Sequence, residues 1–323
     1  MTPQPVAATA IETFAWPEFS RPDPMYLAFY GLRERPFNAT PDPRFLYLTP
    51  GHREALAQLV YSVQENRGFL VLTGEVGTGK TTLLKTFVQR LNGKAAIAYV
   101  FTSTLAFEGL LEYVLEELKV PAAGSTVTQR LLALRRFMID RHRARQKTVL
   151  ILDEAQNLEM ATLEEIRMLS NFETPTEKLL QILLVGQPEL RAKLERPELR
   201  QLRQRVELQC TIPPLSRPQV TEYVETRLRV AGAREPGLFS HRAHDRVAAY
   251  SCGIPRRVNI LCDHCLVIGY ADQRRRIDLD VVDEGIASLE SSAQPAAPRR
   301  VSLVRAFWDR WTIGASTRAV LTR

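Results

Sequence analysis

The stretch Gly74-Glu75-Val76-Gly77-Thr78-Gly79-Lys80-Thr81 decides the fold. It fits the pattern G-x-x-x-x-G-K-[ST] at every fixed position. An apolar, β-prone run (Phe69 to Leu72) precedes it, and a run typical of a helix (Thr82 to Leu91) follows it. Glycines let the backbone turn tightly, so that consecutive N–H groups and a helix N-terminus point at one anion. The sequence therefore predicts a phosphate-binding loop, and with it a nucleotide site.

Two polar residues of this loop have predicted tasks. Lys80 can reach the β- and γ-phosphates of ATP, and the hydroxyl of Thr81 can ligand Mg²⁺. Thr82 opens the following helix, and Asp153 joins the set from a later strand. The predicted nucleotide-binding residues are Gly74, Glu75, Val76, Gly77, Thr78, Gly79, Lys80, Thr81, Thr82 and Asp153.

Apolar runs alternate with helix-like segments through the first two thirds of the chain. Strands are predicted at 95–101, 148–152, 179–186 and 206–212, and helices at 52–66, 107–118 and 127–145. Apolar strands that alternate with helices predict a parallel sheet covered on both faces, an α/β fold with its ligand at the strand ends. From Ser216 the pattern is all-helical, with a first helix to Val230 and others from His241, Arg256 and Leu279. We predict that these helices form a small lid.

Two carboxylates end the strand that starts at Thr148. Catalysis at a γ-phosphate consists mostly of positioning and charge neutralisation. We expect Asp153 to hold Mg²⁺ through water, and Glu154 to orient or deprotonate the attacking water. Gln187 follows a neighbouring strand, so it is predicted to hydrogen-bond the γ-phosphate or that water. A loop cap is the alternative role for Gln187.

Arginines at two places are candidates for contact with the γ-phosphate. Arg200, Arg203 and Arg205 precede the strand 206–212, and one of them could reach the site of a neighbouring subunit as an arginine finger. Arg203 and Arg205 are our candidates, and an ordinary solvated helix face is the alternative. Arg256 opens a lid helix after Gly253-Ile254-Pro255 and could act from the same subunit, with Arg257 as its nearby alternative.

Composition limits the class of protein. Hydrophobic residues make up 45% and charged residues 24% of 323, which is ordinary for a globular chain of about two domains. A net charge of +7 favours a polyanionic partner, either nucleic acid or an anionic lipid face, although a solvated basic surface explains it as well. No apolar run is long enough to span a membrane, and we identify no secretory signal.

The four cysteines and the basic segments allow narrower expectations. Cys262 and Cys265 have C-x-x-C spacing, but no second pair completes a site, so we expect reduced cysteines in a buried helix and no zinc. That usage suits a cytoplasmic protein. A basic run at 135–147 could contact DNA, and the basic amphipathic stretch 299–311 could lie on an anionic membrane or in a partner groove. A disordered tail is the alternative for 299–311.

Several further stretches match a known family. They are Tyr30-Gly31-Leu32, Arg35-Pro36-Phe37, Thr40-Pro41-Asp42-Pro43-Arg44-Phe45-Leu46-Tyr47, His52-Arg53-Glu54-Ala55-Leu56, Gly68 through Thr82, Leu152-Asp153-Glu154-Ala155-Gln156-Asn157-Leu158, Val185-Gly186-Gln187-Pro188-Glu189-Leu190 and Leu202-Arg203-Gln204-Arg205. Across residues 25–290 the motif set resembles the AAA+ ATPases. It resembles specifically the ExeA/GspA type associated with bacterial general secretion, whose relatives include transposition regulators of the TnsC and MuB kind.

The resemblance implies a P-loop NTPase with a RecA-like core, a helical lid, and ATP hydrolysis at the interfaces of a homo-oligomer. It implies Gln187 as sensor 1, Arg203 or Arg205 as the arginine finger, and Arg256 as sensor 2. We expect a flexible leader at 1–24, a nucleotide-binding core at 25–214, a lid at 215–290, and a linker with a basic tail at 291–323. We also expect the aromatic residues between 25 and 47 to bury against the ATPase core, near the base of the nucleotide.

Three functions stay open from the sequence. ExeA-type proteins continue through a membrane span into a periplasmic peptidoglycan-binding domain, and neither is present before Arg323. We therefore expect a shorter cytoplasmic relative that serves a secretion, export or envelope system through a protein partner. The second function is an ATP-dependent DNA-binding regulator of the transposition kind. The third is a scaffold held peripherally at the inner membrane by its tail.

Overall fold

The fold is built on a parallel sheet of five strands, and the phosphate loop follows the carboxyl end of one of them. The computed structural model describes residues 26–38, 42–45, 47–101, 105–121, 126–233 and 237–292. The strands lie in the order β2-β3-β4-β1-β5. They are β1 (Phe69–Gly74), β2 (Ala95–Val100), β3 (Lys147–Leu152), β4 (Gln181–Gly186) and β5 (Val206–Ile212). Because every pairing is parallel, the carboxyl ends of β1, β3 and β4 meet at one edge.

The described helices confirm the alternating pattern, with the boundaries of the predicted segments shifted by two residues at most. The expected leader 1–24 and the basic stretch 299–311 lie outside the described residues. The helices are α1 (Tyr26–Tyr30), α2 (Pro50–Gln64), α3 (Lys80–Arg90), α4 (Phe107–Glu117), α5 (Val127–Arg143), α6 (Met160–Leu169), α7 (Pro188–Leu194), α8 (Arg200–Gln204), α9 (Arg217–Val230), α10 (His241–Ser251), α11 (Pro255–Ala271) and α12 (Leu279–Ser292). Short 3₁₀ turns span Pro43–Phe45, Ala155–Asn157 and Pro197–Leu199.

The central strands are buried on both faces, which is why they are apolar throughout. Phe69 and Val71 point to one side of β1, into a cluster with α4, α5 and α6. Leu70 and Leu72 point to the other, against α2 and α3. Each such side chain contributes about 1.5–3 kcal/mol by leaving water. This double burial fixes the plane of the sheet and the strand ends that carry the site.

A third cluster joins the helices α9 to α12 with an N-terminal strap, which we define as residues 26–38, 42–45 and 47–49. Tyr26, Leu27, Leu32, Phe37 and Phe45 are buried among these helices. The expectation that the aromatics bury against the ATPase core is therefore wrong. The helical part offers the apolar surface that the strap needs, since the sheet is already covered by its own helices. Phe37, Phe45 and Tyr47 nevertheless line a cavity beside the phosphate loop.

A buried arginine fastens the strap to the helices. Arg227, on α9, is 7% exposed. Its guanidinium donates to the carbonyl oxygens of Pro36 (2.6 Å) and Asn38 (3.3 Å), and it packs over the ring of Phe45 at 4.9 Å. These bonds satisfy carbonyls of an irregular segment that has no sheet or helix to pair with.

Two backbone contacts join the helical part to the α/β part. The N–H of Leu215 donates to the carbonyl of Gly253 at 2.8 Å, and the N–H of Arg256 donates to the carbonyl of Gly77 at 3.2 Å. The second contact sets the start of α11 directly on the phosphate loop. Within the described part of the chain, no helix combines the length and hydropathy that crossing a bilayer requires.

We predict that Arg227→Met lowers the free energy of unfolding by about 3 kcal/mol, because the buried carbonyl of Pro36 and the partly buried carbonyl of Asn38 lose a charged donor. Urea unfolding followed by circular dichroism measures the change. Arg229→Met is the matched control, since Arg229 lies on the same helix but is exposed, and it should stay within about 0.5 kcal/mol. Equal losses in the two variants would contradict the role given to Arg227.

Candidate nucleotide-binding site

The phosphate loop has the backbone that its glycines predict. Gly77 and Gly79 have φ angles of 81° and 99°, in the left-handed region that favours glycine. A Cβ on Gly77 would lie 2.5 Å from Cβ of Arg256, so no other residue fits beneath the start of α11. The Thr78 hydroxyl donates to the carbonyl of Glu75 at 2.8 Å and closes the turn. The next residue, Gly79, caps α3, so the helix N-terminus faces the loop.

Lys80 begins α3 and folds back over the loop. Its Nζ donates to the carbonyl oxygens of Gly74 at 2.8 Å and Glu75 at 3.0 Å. Burial lowers the pKa of Lys80, and the nearby carboxylates of Glu154 and Asp153 act against that shift. The ammonium group is therefore held at the loop between backbone carbonyls and the acidic strand end.

Asp153 and Glu154 follow β3 directly and point to the same edge. Asp153 is 4% exposed; its Oδ2 accepts from the Tyr99 hydroxyl at 2.8 Å and its Oδ1 from the N–H of Glu154 at 3.0 Å. Burial raises the pKa of Asp153, while these two hydrogen bonds lower it in part. Glu154 has a φ of 54°, so a non-glycine residue occupies left-handed backbone at this position. Such strain is typical of functional sites.

Two glutamines hold the Glu154 carboxylate. Its Oε2 accepts from Nε2 of Gln156 at 2.6 Å and from Nε2 of Gln187 at 3.2 Å. Oε1 of the Gln156 amide accepts a hydrogen bond from the N–H of Gln187 at 3.1 Å. Gln156 therefore bridges the carboxyl ends of β3 and β4. Burial raises the pKa of Glu154, but these bonds and the charge of Lys80 outweigh it and leave the pKa lowered. The carboxylate is thus fixed in its charged form.

The arginine candidates lie in different surroundings. Arg205 is one residue past α8, and its guanidinium donates to Oδ1 of Asn171 at 2.7 Å and to the Ser170 hydroxyl, both beyond the end of α6. Arg203 is exposed, with one long hydrogen bond of 3.5 Å to the carbonyl of Glu195. Neither lines the cavity beside the phosphate loop, whereas Arg256 does. Arg257 instead packs over the ring of Tyr250 at 5.2 Å.

One cavity of about 470 Å³ brings most of the predicted residues together. Its walls come from the phosphate loop, α3, the end of β3, the start of α11, helix α9 and the strap. Predicted residues in the wall are Val76, Gly77, Thr78, Gly79, Lys80, Thr81, Thr82, Glu154 and Arg256. Gly74, Glu75, Asp153 and Gln187 contact these residues from behind, through the hydrogen bonds described above. The cavity has room for a nucleotide.

Further polar residues of the site were not predicted from the sequence. Among them are His52, Tyr99, Gln156, Tyr223, Arg227 and Asn259. His52 is buried, accepts from Thr49 at Nδ1 (2.7 Å) and donates from Nε2 to the carbonyl of Thr78 (3.1 Å), and burial lowers its pKa. The sequence shows a histidine shortly after a helix-capping threonine. It does not show that this histidine contacts a loop 26 residues away. Gln156 lies within a motif that we matched to a family, without a role assigned to it.

The donor set suits ATP with a hard cation. The Thr81 hydroxyl and the Asp153 carboxylate are oxygen donors, which Mg²⁺ prefers. Among the described residues no group of three histidine, cysteine or acidic side chains could hold a metal ion alone. At nucleotide sites Mg²⁺ typically binds one or two protein oxygens, and water and phosphate oxygens complete its coordination shell. The residues present therefore fit the cofactors that the loop predicts.

Comparison with known proteins agrees with this geometry. Residues 63–194 match the AAA domain family. The chain is 41% identical over 254 residues to general secretion pathway protein A of Aeromonas hydrophila. The aligned residues cover 78% of this chain and 46% of that protein. The chain therefore spans about half the length of this curated relative.

Two solved structures share the fold. The Drosophila ORC bound to DNA aligns with a TM-score of 0.62 and 18% identity, covering 89% of this chain and 72% of that chain. The Cdc6p of Pyrobaculum aerophilum aligns with a TM-score of 0.59 and 19% identity, covering 77% of this chain and 71% of that chain. At this identity the two structures show the fold alone. The matched AAA domain and the 41% identical relative identify this chain as an AAA+ ATPase similar to general secretion pathway protein A.

Proposed function

We propose that this ATPase binds and hydrolyses ATP with Mg²⁺ at the interfaces of a homo-oligomer and couples its nucleotide state to assembly on a partner. The observation that carries the proposal is the single cavity in which the phosphate loop, Glu154 and the lid residue Arg256 meet. Because the lid and the loop share this wall, a change at the γ-phosphate can move one against the other. A switch in assembly needs such a differential contact.

The side chains divide the chemistry between them. The loop N–H groups and Lys80 would hold the phosphates, and Thr81 with Asp153 would hold Mg²⁺, which would supply neutralising charge at the phosphate oxygens. Glu154 accepts a proton from, or orients, the attacking water. Gln156 keeps the Glu154 carboxylate at the end of β4, where Gln187 adds a donor for the γ-phosphate or the water. Arg256 approaches from the lid in the same subunit.

We predict that Glu154→Gln abolishes turnover, by a factor of at least about 100, but keeps ATP bound, because it removes only the proton acceptor. Lys80→Ala should instead lose nucleotide affinity, because it removes the charge at the phosphates. Phosphate release measures turnover, and isothermal titration with a slowly hydrolysed ATP analogue measures affinity. A Glu154→Gln protein that hydrolyses ATP at the wild-type rate would show that the assignment of the acidic residues is wrong.

Arg203 is the better candidate for the finger that reaches a neighbouring subunit. A residue that acts in trans must be free to leave its own subunit, and Arg203 is exposed with one long hydrogen bond. Arg205 is held by Ser170 and Asn171 of its own chain. Arg205 therefore serves the packing of α6 against the start of β5.

We predict that Arg203→Ala lacks activity alone but regains it when mixed with Glu154→Gln, because the mixture contains interfaces with an intact loop on one side and an intact arginine on the other. Turnover of the two variants, separately and mixed, measures this. Arg205→Ala is the paired variant: it should lower the free energy of unfolding by about 1–2 kcal/mol. Complementation of Arg205→Ala but not of Arg203→Ala would reverse the assignment.

The partner belongs to a bacterial secretion, export or envelope-associated system in this proposal. Support comes from the relative, general secretion pathway protein A, which is 41% identical over the shared 254 residues. In the same proposal the protein works on the cytoplasmic side and contacts the inner membrane peripherally through the basic stretch 299–311. In this proposal the core spans 25–214 and the lid 215–290. The sheet and the helices have separate hydrophobic clusters, but the strap, which belongs to 25–214 in sequence, packs in the cluster of the helices.

A DNA-binding regulator is the second candidate, and the surface of α5 favours it. Arg135 and Arg136 are exposed on this helix, and Arg143 and Arg145 are exposed at its end. Two members of the predicted basic run are engaged locally, since Arg141 binds Gln146 at 2.7 Å and Lys147 binds Asn66 at 2.5 Å. Arg143 also pairs with Asp140 at 3.6 Å, so Arg135, Arg136 and Arg145 are the cations left for phosphate groups along a duplex.

Turnover measured with duplex DNA, with anionic vesicles and with neither separates the two candidates. In the secretion proposal we expect turnover to be indifferent to DNA and to rise with anionic vesicles, because the basic stretch 299–311 would meet lipid phosphates. Removal of residues 296–323 should abolish the response to vesicles. Stimulation by DNA that fades between about 50 and 200 mM salt, and that is lost in Arg135→Ala/Arg136→Ala, would favour the regulator instead.

A further inference from the structure

The cavity has two chemically different ends. At one end lie Lys80 and the backbone of the phosphate loop. At the other, the ring of Tyr47 packs against that of Tyr223 with centroids 6.1 Å apart, and Arg227 lies over the rings of Phe45 and Tyr223. Phe37 and Asn259 line the same cavity. Aromatic and apolar walls favour a flat ring over a phosphate chain. This end therefore fits the base of a nucleotide whose phosphates occupy the loop.

Helix α11 connects the two ends. The start of α11 is held at the loop, because the N–H of Arg256 donates a hydrogen bond to the carbonyl of Gly77. Asn259 lies three residues later on the same face of the helix, about 4.5 Å further along the axis. Arg256 is thus near the phosphates, and Asn259 is near the aromatic end.

A chain of three side chains fixes the orientation of the Asn259 amide. Nη1 of Arg227 donates to the Tyr223 hydroxyl at 3.0 Å, and that hydroxyl is 2.8 Å from Oδ1 of Asn259. A guanidinium can only donate, so the tyrosine oxygen accepts from it and its single proton goes to Asn259. The Asn259 oxygen is thereby used as an acceptor, and its Nδ2 group keeps two protons for another partner.

The side chain of Asn259 belongs to the wall of the cavity. Asn259 is half-buried and lines the cavity between Arg256 and Ile260. Among the hydrogen bonds of the described residues, Asn259 takes part with its side-chain oxygen. An oriented amide donor at the aromatic end has the chemistry to meet a ring nitrogen that accepts a hydrogen bond.

We propose that Asn259 donates a hydrogen bond to an acceptor nitrogen of the purine ring, with Tyr223 and Arg227 as positioning residues that hold the amide in the donating orientation. The inference rests on the proposed function, since it takes the ligand of the cavity to be ATP. Asn259 would then recognise the base, in addition to the residues that hold the phosphates. The competing explanation is that Asn259 only satisfies the buried Tyr223 hydroxyl.

Two ligands separate base recognition from phosphate binding. Isothermal titration of the full chain with a slowly hydrolysed ATP analogue and with tripolyphosphate measures both. Asn259→Ala should weaken binding of the analogue about 10-fold, the loss of one hydrogen bond, and leave tripolyphosphate unchanged. Asn92→Ala, at an exposed position just beyond α3, is the matched control and should change neither.

The acceptor atom and the positioning chain have their own tests. One of the 1-, 3- and 7-deaza forms of ATP should bind the wild type about 10-fold more weakly and bind Asn259→Ala no worse than ATP does, since the lost acceptor and the lost donor belong to one bond. Tyr223→Phe should weaken ATP binding several-fold, with no further loss when combined with Asn259→Ala. Tyr113→Phe, half-buried on α4 outside the cavity, is its control.

Different failures have different meanings. Lys80→Ala should weaken both ligands, and a wild-type protein that binds neither would refute the proposed function itself. If Asn259→Ala weakens tripolyphosphate as much as ATP, or if all three deaza analogues bind the wild type like ATP, the inference about Asn259 is wrong and the proposed function stands. If Asn259→Ala fails to fold, Asn259→Ser keeps an acceptor for Tyr223 and carries the same comparison.

Discussion

The close approach of α11 to the phosphate loop is the constraint on which the site depends. Only glycine fits at position 77, because a Cβ there would lie 2.5 Å from that of Arg256. The same glycine supplies the left-handed backbone of the loop and the carbonyl that accepts from Arg256 N–H. One residue therefore shapes the anion site and joins it to the helical part. In the proposed function, a shift at the phosphates would pass to the helical part through this backbone contact, which cannot relax as a side chain does.

Polar side chains hold the two carboxylates at the carboxyl end of β3 through hydrogen bonds. Tyr99 holds Asp153, while Gln156 and Gln187 hold Glu154. Buried carboxylates are costly unless hydrogen-bonded, so these partners make a charged pair tolerable at the end of apolar strands. They also fix orientation, which is what catalysis at a phosphate requires of a protein. Stability and chemistry here depend on the same hydrogen bonds.

The strap gives the cavity its second wall by packing on the helices. Its apolar residues bury in the helical cluster, and Arg227 donates hydrogen bonds to two of its carbonyls. Since α9 also carries Tyr223, the bonds that hold the strap are continuous with those that orient Asn259. Movement of the helical part would carry both the strap and this amide with it. Closure around a nucleotide would then act on the phosphates and the base together.

The sequence by itself determined the phosphate loop, the order of strands and helices, and the acidic strand end, because glycine torsions, apolar runs and strand-end carboxylates are local signals. It determined the family as well, through motifs that match as short strings. Only the tertiary structure decided that the strap packs on the helices, that Arg205 is held by its own subunit, and that His52, Tyr99, Gln156 and Asn259 belong to the site. These are contacts between segments distant in sequence, and they depend on side-chain direction and burial, which periodicity and composition do not encode.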